Sequence, residues 1–293
     1  MKHAFLILAH NEFEVLRRLA TCLDDERNDI FIHFDKKVTD LPALSTHRAG
    51  LYVLEKRVDV RWGAPSMVEA ELALFDTALE KAPYQYYHLL SGVDLPIKSQ
   101  DYIHHFFDEH HGQEFIGYTW TQMPPDFARK VRGWHLFPED FKRGSLVKRA
   151  VRAGFLRLQE LVGLPRNRNV DFKKGSQWVS VTEQMARYFV NHRDWIHSIF
   201  RNTFCCDELV MQTLAWNSPF RDKLFNTEDD GKGCMRLIGW RCTPDGKQLT
   251  LQDWSAADFK QIKASPALFA RKFNGRDVAF LDKICELCAP NEV

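Results

Sequence analysis

The chain has almost no surplus of either charge: 40 Lys and Arg stand against 39 Asp and Glu, a net charge of +1. Without a basic excess it lacks the overall footprint of a nucleic-acid-binding protein, and it has no acidic tail. No nucleic-acid partner is expected. It also lacks any run of about 18 uncharged apolar residues, so no transmembrane helix is expected. The short apolar start, MKHAFLILAHNEF, has a histidine before the run, His10-Asn11-Glu12 after it and no small-residue cleavage site. It reads as a buried first strand, not a signal peptide. Cysteine usage argues against a disulfide framework: seven is an odd number and Cys205-Cys206 are adjacent. A reducing, cytoplasmic compartment fits that pattern. Cys285 and Cys288 have CxxC spacing, but no second pair stands at zinc-finger distance, and buried thiols on a C-terminal helix account for them.

Several ligand motifs are missing too. No GxGxxG follows the first strand and no GxxxxGK[ST] occurs, which weakens dinucleotide-binding, oxidoreductase and P-loop readings. No Asp-x-Asp ends a strand; "SGVD" holds a single acid, whereas a metal bridging a diphosphate needs at least two oxygen ligands there. His104-His105 and His110-His111 are adjacent pairs, and helix neighbours point to different sides, so a solvated face is expected there and no metal site.

What is present is a foldable α/β pattern. A hydrophobic content of 45% over 293 residues suits a well-buried core. His3 to Ala9 is a continuous apolar strand, Asn11 can cap the helix after it, and Phe13, Leu16, Leu19 and Leu23 keep helical spacing. Ile30 to Phe34 and Leu51 to Leu54 read as strands; Ser66 with Glu69 forms a capping box for a helix carrying Met67, Ala70, Leu74 and Leu79. "YYHLLSGVD" is a fourth strand broken at Gly92. The order β-α-β-β-α-β predicts an α/β sheet with its ligand at the carboxyl ends of the strands. "QWVSV" is a later strand, and Asp207 can cap a helix running through Leu214.

Charge is segregated in the middle. From Arg129 to Lys174 there are thirteen Lys or Arg against four Asp or Glu. "KRGSLVKRAVRAGFLRLQELVG" reads as a basic amphipathic helix with loops. It is either a solvated face or a surface for an anionic glycan or membrane headgroups.

Position in the pattern marks the candidate site residues. Asp35 ends a strand and can either cap a turn or accept hydrogen bonds from a base or ribose. Asp94 follows a glycine at another strand end. Glu208, just after the Asp207 cap, falls in a first helical turn whose dipole favours an ionised general base; ordinary helices begin with acids as well. In "FARKFN", Arg271 and Lys272 stand together between phenylalanines. They are either snorkelling surface cations or partners of a buried counter-charge such as a diphosphate.

Taken in order, "LILAHNEFEVLRRLATCL", "IFIHFDKK", "RWGAPSMVEAELALFDTALE", "HLLSGVDLPIKSQDYIHHF", "KGSQWVSV", "CCDELVMQTL", "MRLIGW", "LQDWSAADF" and "ALFARKF" run nearly end to end through the chain. This series resembles the Branch-type glycosyltransferases, the family of the core-2/I-branching β-1,6-N-acetylglucosaminyltransferases and the peptide O-xylosyltransferases. "MRLIGW", the "DW" pair and "FARKF" look closer to the xylosyltransferase branch. The resemblance implies a single GT-A domain over 1–293: a UDP-binding half (1–117), a basic insertion on the acceptor or membrane side (118–174), and a half bearing the base and diphosphate site (175–293). It implies inverting transfer of N-acetylglucosamine or xylose from a UDP-sugar without a catalytic metal or other cofactor.

By position, Ala9, His10, Asp35 and the Arg61-Trp62-Gly63 segment would hold uridine and ribose. Asp94, Gln177 and Trp178 would touch the donor sugar. Glu208 falls on the family's catalytic base, and Arg271 and Lys272 on its diphosphate-binding cations. A further arginine of the core-2 branch falls on Leu249 here, with Arg236 and Arg241 as candidate substitutes. The animal members carry a Golgi membrane anchor and many disulfides, and this chain shows neither. The resemblance therefore implies a bacterial, cytoplasmic member, peripheral at the inner membrane face through 129–174, acting on a glycan or lipid-linked envelope acceptor. A catalytically silent glycan- or UDP-sugar-binding protein on the same fold is the alternative.

Overall fold

The computed structural model describes residues 1–119, 122–140, 145–163, 166–242 and 248–289. Lys142 and Arg143 of the basic stretch lie outside them. The chain runs through strand β1 (His3–Ala9), helix α1 (Phe13–Cys22), β2 (Asn28–Phe34), β3 (Gly50–Val53), α2 (Ser66–Lys81), β4 (Tyr86–Ser91), β5 (Asp94–Pro96) and α3 (Gln100–Glu109). It continues with α4 (Pro125–Arg132), α5 (Leu146–Val162), β6 (Ser180–Thr182), α6 (Glu183–Asn191), α7 (Arg193–Phe200), α8 (Val210–Trp216) and α9 (Asp230–Cys234). The last elements are β7 (Arg236–Ile238), β8 (Trp240–Cys242), β9 (Gln248–Leu251), α10 (Phe259–Ala264), β10 (Phe269–Arg271) and α11 (Val278–Cys285).

The main sheet has the order β3-β2-β1-β4-β6, parallel except for β6, which runs antiparallel to β4. Every residue of β1, β2 and β4 is buried. This accounts for their unbroken apolar runs, because a parallel sheet is covered on both faces and cannot alternate with solvent. Ala4, Leu6 and Leu8 of β1 belong to one core cluster with α2, α6 and α8, while Phe5, Ile7 and Ala9 face the other with α1 and α11. The result is a mixed α/β fold, as the order of the elements predicts. The chain grows from β1 outwards to β2 and β3, then returns to the other side of β1 as β4. Such a switch of direction opens a crevice at the strands' carboxyl ends.

A second sheet, β5-β10-β7, arises from the break at Gly92. Gly92 packs on the end of β1: its N–H donates to the Leu8 carbonyl at 2.8 Å, and a Cβ there would meet the Ala9 Cβ at 3.2 Å. β5 leaves the main sheet at that point and pairs antiparallel with β10, setting Asp94 opposite Arg271.

Local signals misplace three features. Residue Glu12, not Asn11, precedes α1, in left-handed conformation (φ 51°) and without a side-chain cap; its carboxylate instead accepts the Gly275 N–H at 2.8 Å. No capping box forms at Ser66, which is itself the first helical residue; its hydroxyl accepts from the Arg61 N–H and donates to Glu139. Nor is the histidine face of α3 uniformly solvated: His104 is buried, its Nε2 donates to Asn28 Oδ1 at 2.9 Å, and its ring lies 4.1 Å from that of His3. Tertiary contacts claim all three side chains.

His3, His88 and His104 form a buried set, with His88 Nε2 3.1 Å from His3 Nδ1 and His88 Nδ1 2.8 Å from Ser180 Oγ. Burial lowers all three, His104 to about 4; their mutual repulsion, the N-terminal amine, Arg27 and Arg236 reinforce this, against the weaker pull of Asp25 and Asp108 on His104. Below the ordinary pKa of about 6.5 the unfolded chain takes up protons that the folded chain refuses. Stability is therefore whole above that pH and falls as pH drops towards 4, by about 1.4 kcal/mol per pH unit for each imidazole. Carboxyls that burial raises, Glu114 to about 7 and Asp207 to about 6, act in the opposite sense, so the histidine part is read from the difference between wild-type and His104→Asn urea midpoints at pH 7 and pH 5. Replacing His104 with Asn should flatten the dependence.

Candidate active site

The crevice is a cavity of about 890 Å³, within the range of small-molecule sites. One wall is the end of the main sheet. Ala9 closes β1, and its carbonyl accepts the Asp35 N–H at 2.9 Å, which holds the residue after β2 beside it. The Asp35 carboxylate takes the Lys37 N–H at 3.0 Å and the Lys37 ammonium at 2.7 Å. Beside it, burial lowers the pKa of His10, only partly offset by Asp35.

The second wall is the end of β10. Arg271 donates from Nε to Asp94 at 3.1 Å, and its guanidinium lies 4.3 Å over the Trp178 ring. A planar guanidinium held by a carboxylate on one edge and an aromatic face has few rotamers left. Asp94 is itself buried; burial raises its pKa, Arg271 opposes that, and the Ser91 N–H donates to it at 2.9 Å. Lys272, joined to Arg271 by a cis peptide bond, stands 3.6 Å from Asp253.

Glu208 supplies the third wall. It lies in a 3-10 turn, Cys206–Glu208, entered through Cys205 in left-handed conformation (φ 48°); α8 begins only at Val210. The expected place in a first helical turn, capped by Asp207, is thus corrected: Asp207 lies within the 3-10 turn, and Leu209, without a side-chain cap, precedes α8. Burial, and then the Glu208 charge, push Asp207 up to about 6, and its Oδ1 finds no hydrogen-bond partner among the described residues. Beneath it Glu71 is fully buried and raised further by burial and by Asp207, with Gln177 donating to it at 3.0 Å. The Glu208 carboxylate faces the cavity 3.1 Å from Lys174.

Nine of the twelve residues singled out in the sequence line this one cavity: Ala9, His10, Asp35 and Trp62 on one side, Gln177, Trp178, Glu208, Arg271 and Lys272 on the other. Three do not. Asp94 lies behind Arg271, where it holds that cation and does not line the cavity. Arg61 sits at the rim, paired with Asp59 and Asp140 at 3.4 and 3.5 Å, and the Gly63 carbonyl accepts the Cys205 N–H at 2.7 Å. Neither substitute arginine reaches the cavity lining either. Arg236 is buried against the carbonyls of Cys234 and Val179, and Arg241 is forked onto Asp258 at 3.2 and 3.0 Å.

Sequence reasoning missed Lys174, Asp253 and Asp230. The signal for Lys174 was "KKGSQW": a Cβ on Gly175 would lie 1.9 Å from the Gly117 carbonyl oxygen, so only glycine lets that segment approach the cavity floor. The Ser176 N–H then donates to Asp230 at 2.7 Å. Among the described residues, no group of three or more His, Cys, Asp or Glu side chains could hold a metal ion, and no helix is long and apolar enough to cross a membrane.

Residues 3–263 match the family of the Core-2/I-Branching enzymes, Branch, and the chain belongs to this family of glycosyltransferases. Among curated proteins it is similar to xylosyltransferase 1 of mouse and of human, each 24% identical over 297 residues, which take in 92% of this chain and 28% of the relative. The rat xylosyltransferase 1 is 23% identical over 293 residues, 92% of this chain and 33% of its own. The chain thus spans about a third or less of the length of these relatives. A crystal structure of S. aureus TarS superposes with a TM-score of 0.28 and 16% identity over 47% of this chain and 43% of that one, a likeness too partial to bear on this site.

Proposed function

We propose that this chain is a GT-A-type, inverting glycosyltransferase that moves N-acetylglucosamine or xylose from a UDP-sugar to a hydroxyl of a glycan acceptor, with cations of the protein in place of a metal. The observation that carries the reading is one cavity, at the carboxyl ends of the strands, lined both by the Glu208 carboxylate and by the adjacent cations Arg271 and Lys272. The similarity to xylosyltransferases supports the donor class.

In this mechanism uridine and ribose lie against Ala9, His10, Asp35 and Trp62. Glu208 takes the proton from the acceptor hydroxyl as its oxygen attacks the anomeric carbon on the face opposite UDP. The C1–O bond to the diphosphate breaks, and negative charge grows on the departing oxygen. Arg271 and Lys272 meet that charge more strongly in the transition state than in the ground state, which is the condition for acceleration. Asp94 and Trp178 keep Arg271 aimed before the charge arrives.

The test is UDP release from UDP-N-acetylglucosamine and UDP-xylose with a panel of glycan acceptors, with and without EDTA. Turnover of one donor, unchanged by EDTA, is expected. Loss of turnover with EDTA means that a metal carries the diphosphate charge; UDP binding without turnover for any pair leaves a silent binding protein.

A further inference from the structure

Helix α5 is the most exposed long element of the described chain. Ser145 starts it by accepting the Lys148 N–H at 3.3 Å, and Gly163 ends it in left-handed conformation (φ 67°). Of its seventeen residues only Gln159 is buried, locked to the main chain of Trp134 at 2.8 and 3.0 Å. Arg152 packs over the Phe204 ring at 4.9 Å. These contacts fix which side of the helix faces the protein.

The opposite side is apolar. Val147, Val151, Gly154, Leu158 and Leu161 follow one another at intervals of four and three residues, which stacks them in one stripe. Val147 is 71% exposed, Leu158 56% and Leu161 85%, with Leu146 and Val162 equally bare at the two ends. Polar residues normally occupy such a face on a helix that meets only water. Cations border the stripe: at 3.6 residues per turn Lys148 falls on one flank and Arg157 on the other, while Arg149, exposed, falls on the far side of the helix. Trp134 and Phe137 beside the helix are also partly exposed; the Lys148 ammonium lies 5.4 Å over the Phe137 ring and pairs with Asp140.

We infer that α5 lies on an anionic lipid bilayer, with Val147, Val151, Leu158 and Leu161 in the headgroup boundary and the flanking Arg157 and Lys148 towards lipid phosphates. Charge decides between this and pairing with a second copy of the chain. Two such helices would set cation against cation, since Glu160 is the single acid against Lys148, Arg149, Arg152 and Arg157. An anionic surface satisfies both the stripe and its borders. The 134–140 segment that carries α5 also contacts the cavity rim, through Asp140 to Arg61 and Glu139 to Ser66. On the transferase reading, docking therefore holds the site mouth near lipid-borne acceptors; binding itself does not depend on that reading.

Co-sedimentation of the full chain with phosphatidylcholine vesicles, with and without phosphatidylglycerol, tests the inference without any need for turnover. Binding is expected only with phosphatidylglycerol and should weaken with salt. Each cation near the surface is worth roughly fivefold, so Arg157→Glu should weaken binding by about fivefold or more, and Arg149→Glu, on the side of the helix away from the stripe, should weaken it less. Leu158→Ser with Leu161→Ser should weaken it by at least about tenfold, with an unchanged melting temperature because both side chains are bare in the folded state. Equal binding to neutral vesicles, no binding to either, or binding unaffected by these changes overturns it. So does a dimer in light scattering that the Leu158→Ser, Leu161→Ser protein no longer forms.

Discussion

Glu208→Gln is expected to lower turnover by about 10²- to 10⁴-fold while leaving UDP binding near the wild-type value. The substitution preserves the shape of the side chain and removes only its capacity to take a proton. Glu208 is half-exposed and its partner Lys174 lies near the surface, so losing that ion pair costs about 0–1 kcal/mol of stability and does not unfold the turn. Steady-state kinetics with titration calorimetry for UDP separate the two effects. Near-normal turnover would remove Glu208 as the base. The next candidate is then Asp207, whose pKa of about 6 predicts activity rising through that pH and lost in Asp207→Asn.

Lys272→Ala and Arg271→Ala are each expected to slow transfer by on the order of a hundredfold or more and to weaken UDP binding. The two should differ in what they do to the fold. Lys272 and Asp253 are both partly solvated, and truncating Lys272 leaves no buried charge behind. Arg271→Ala strands Asp94 in the interior, and removing one partner of a buried pair costs about 3–5 kcal/mol. Asp94→Asn combined with Arg271→Gln removes both charges together and should recover most of that stability without recovering rate. Melting temperatures and kcat for the four proteins check this. Equal stability of Arg271→Ala and the wild type would show that Asp94 does not depend on Arg271; normal turnover in Lys272→Ala would show that the diphosphate charge is met elsewhere.

How much of this was legible beforehand can be seen residue by residue. Strands β1, β2 and β4 announced themselves because strands buried on both faces must be apolar throughout, and Asp35 and Gly92 marked where two of those runs stop. The ordered series of motifs was enough to name the family and to point at Glu208, Arg271 and Lys272. The caps were misread, because Glu12, Ser66 and Asp207 have partners or surroundings that no local pattern contains.

Periodicity, strand ends and residue type were enough to read off the α/β class, the end of the sheet where the cavity lies, and the cations and carboxylate that line it. Long-range packing, in contrast, set Asp94, 177 residues from Arg271, against that arginine and outside the cavity lining. It likewise decided that Lys174 meets Glu208, that His104 is buried and that the apolar stripe of α5 points away from the core. Those outcomes are set by the register of β5 on β10 and by how loops pack across the chain, and contacts of that range leave no period in the sequence.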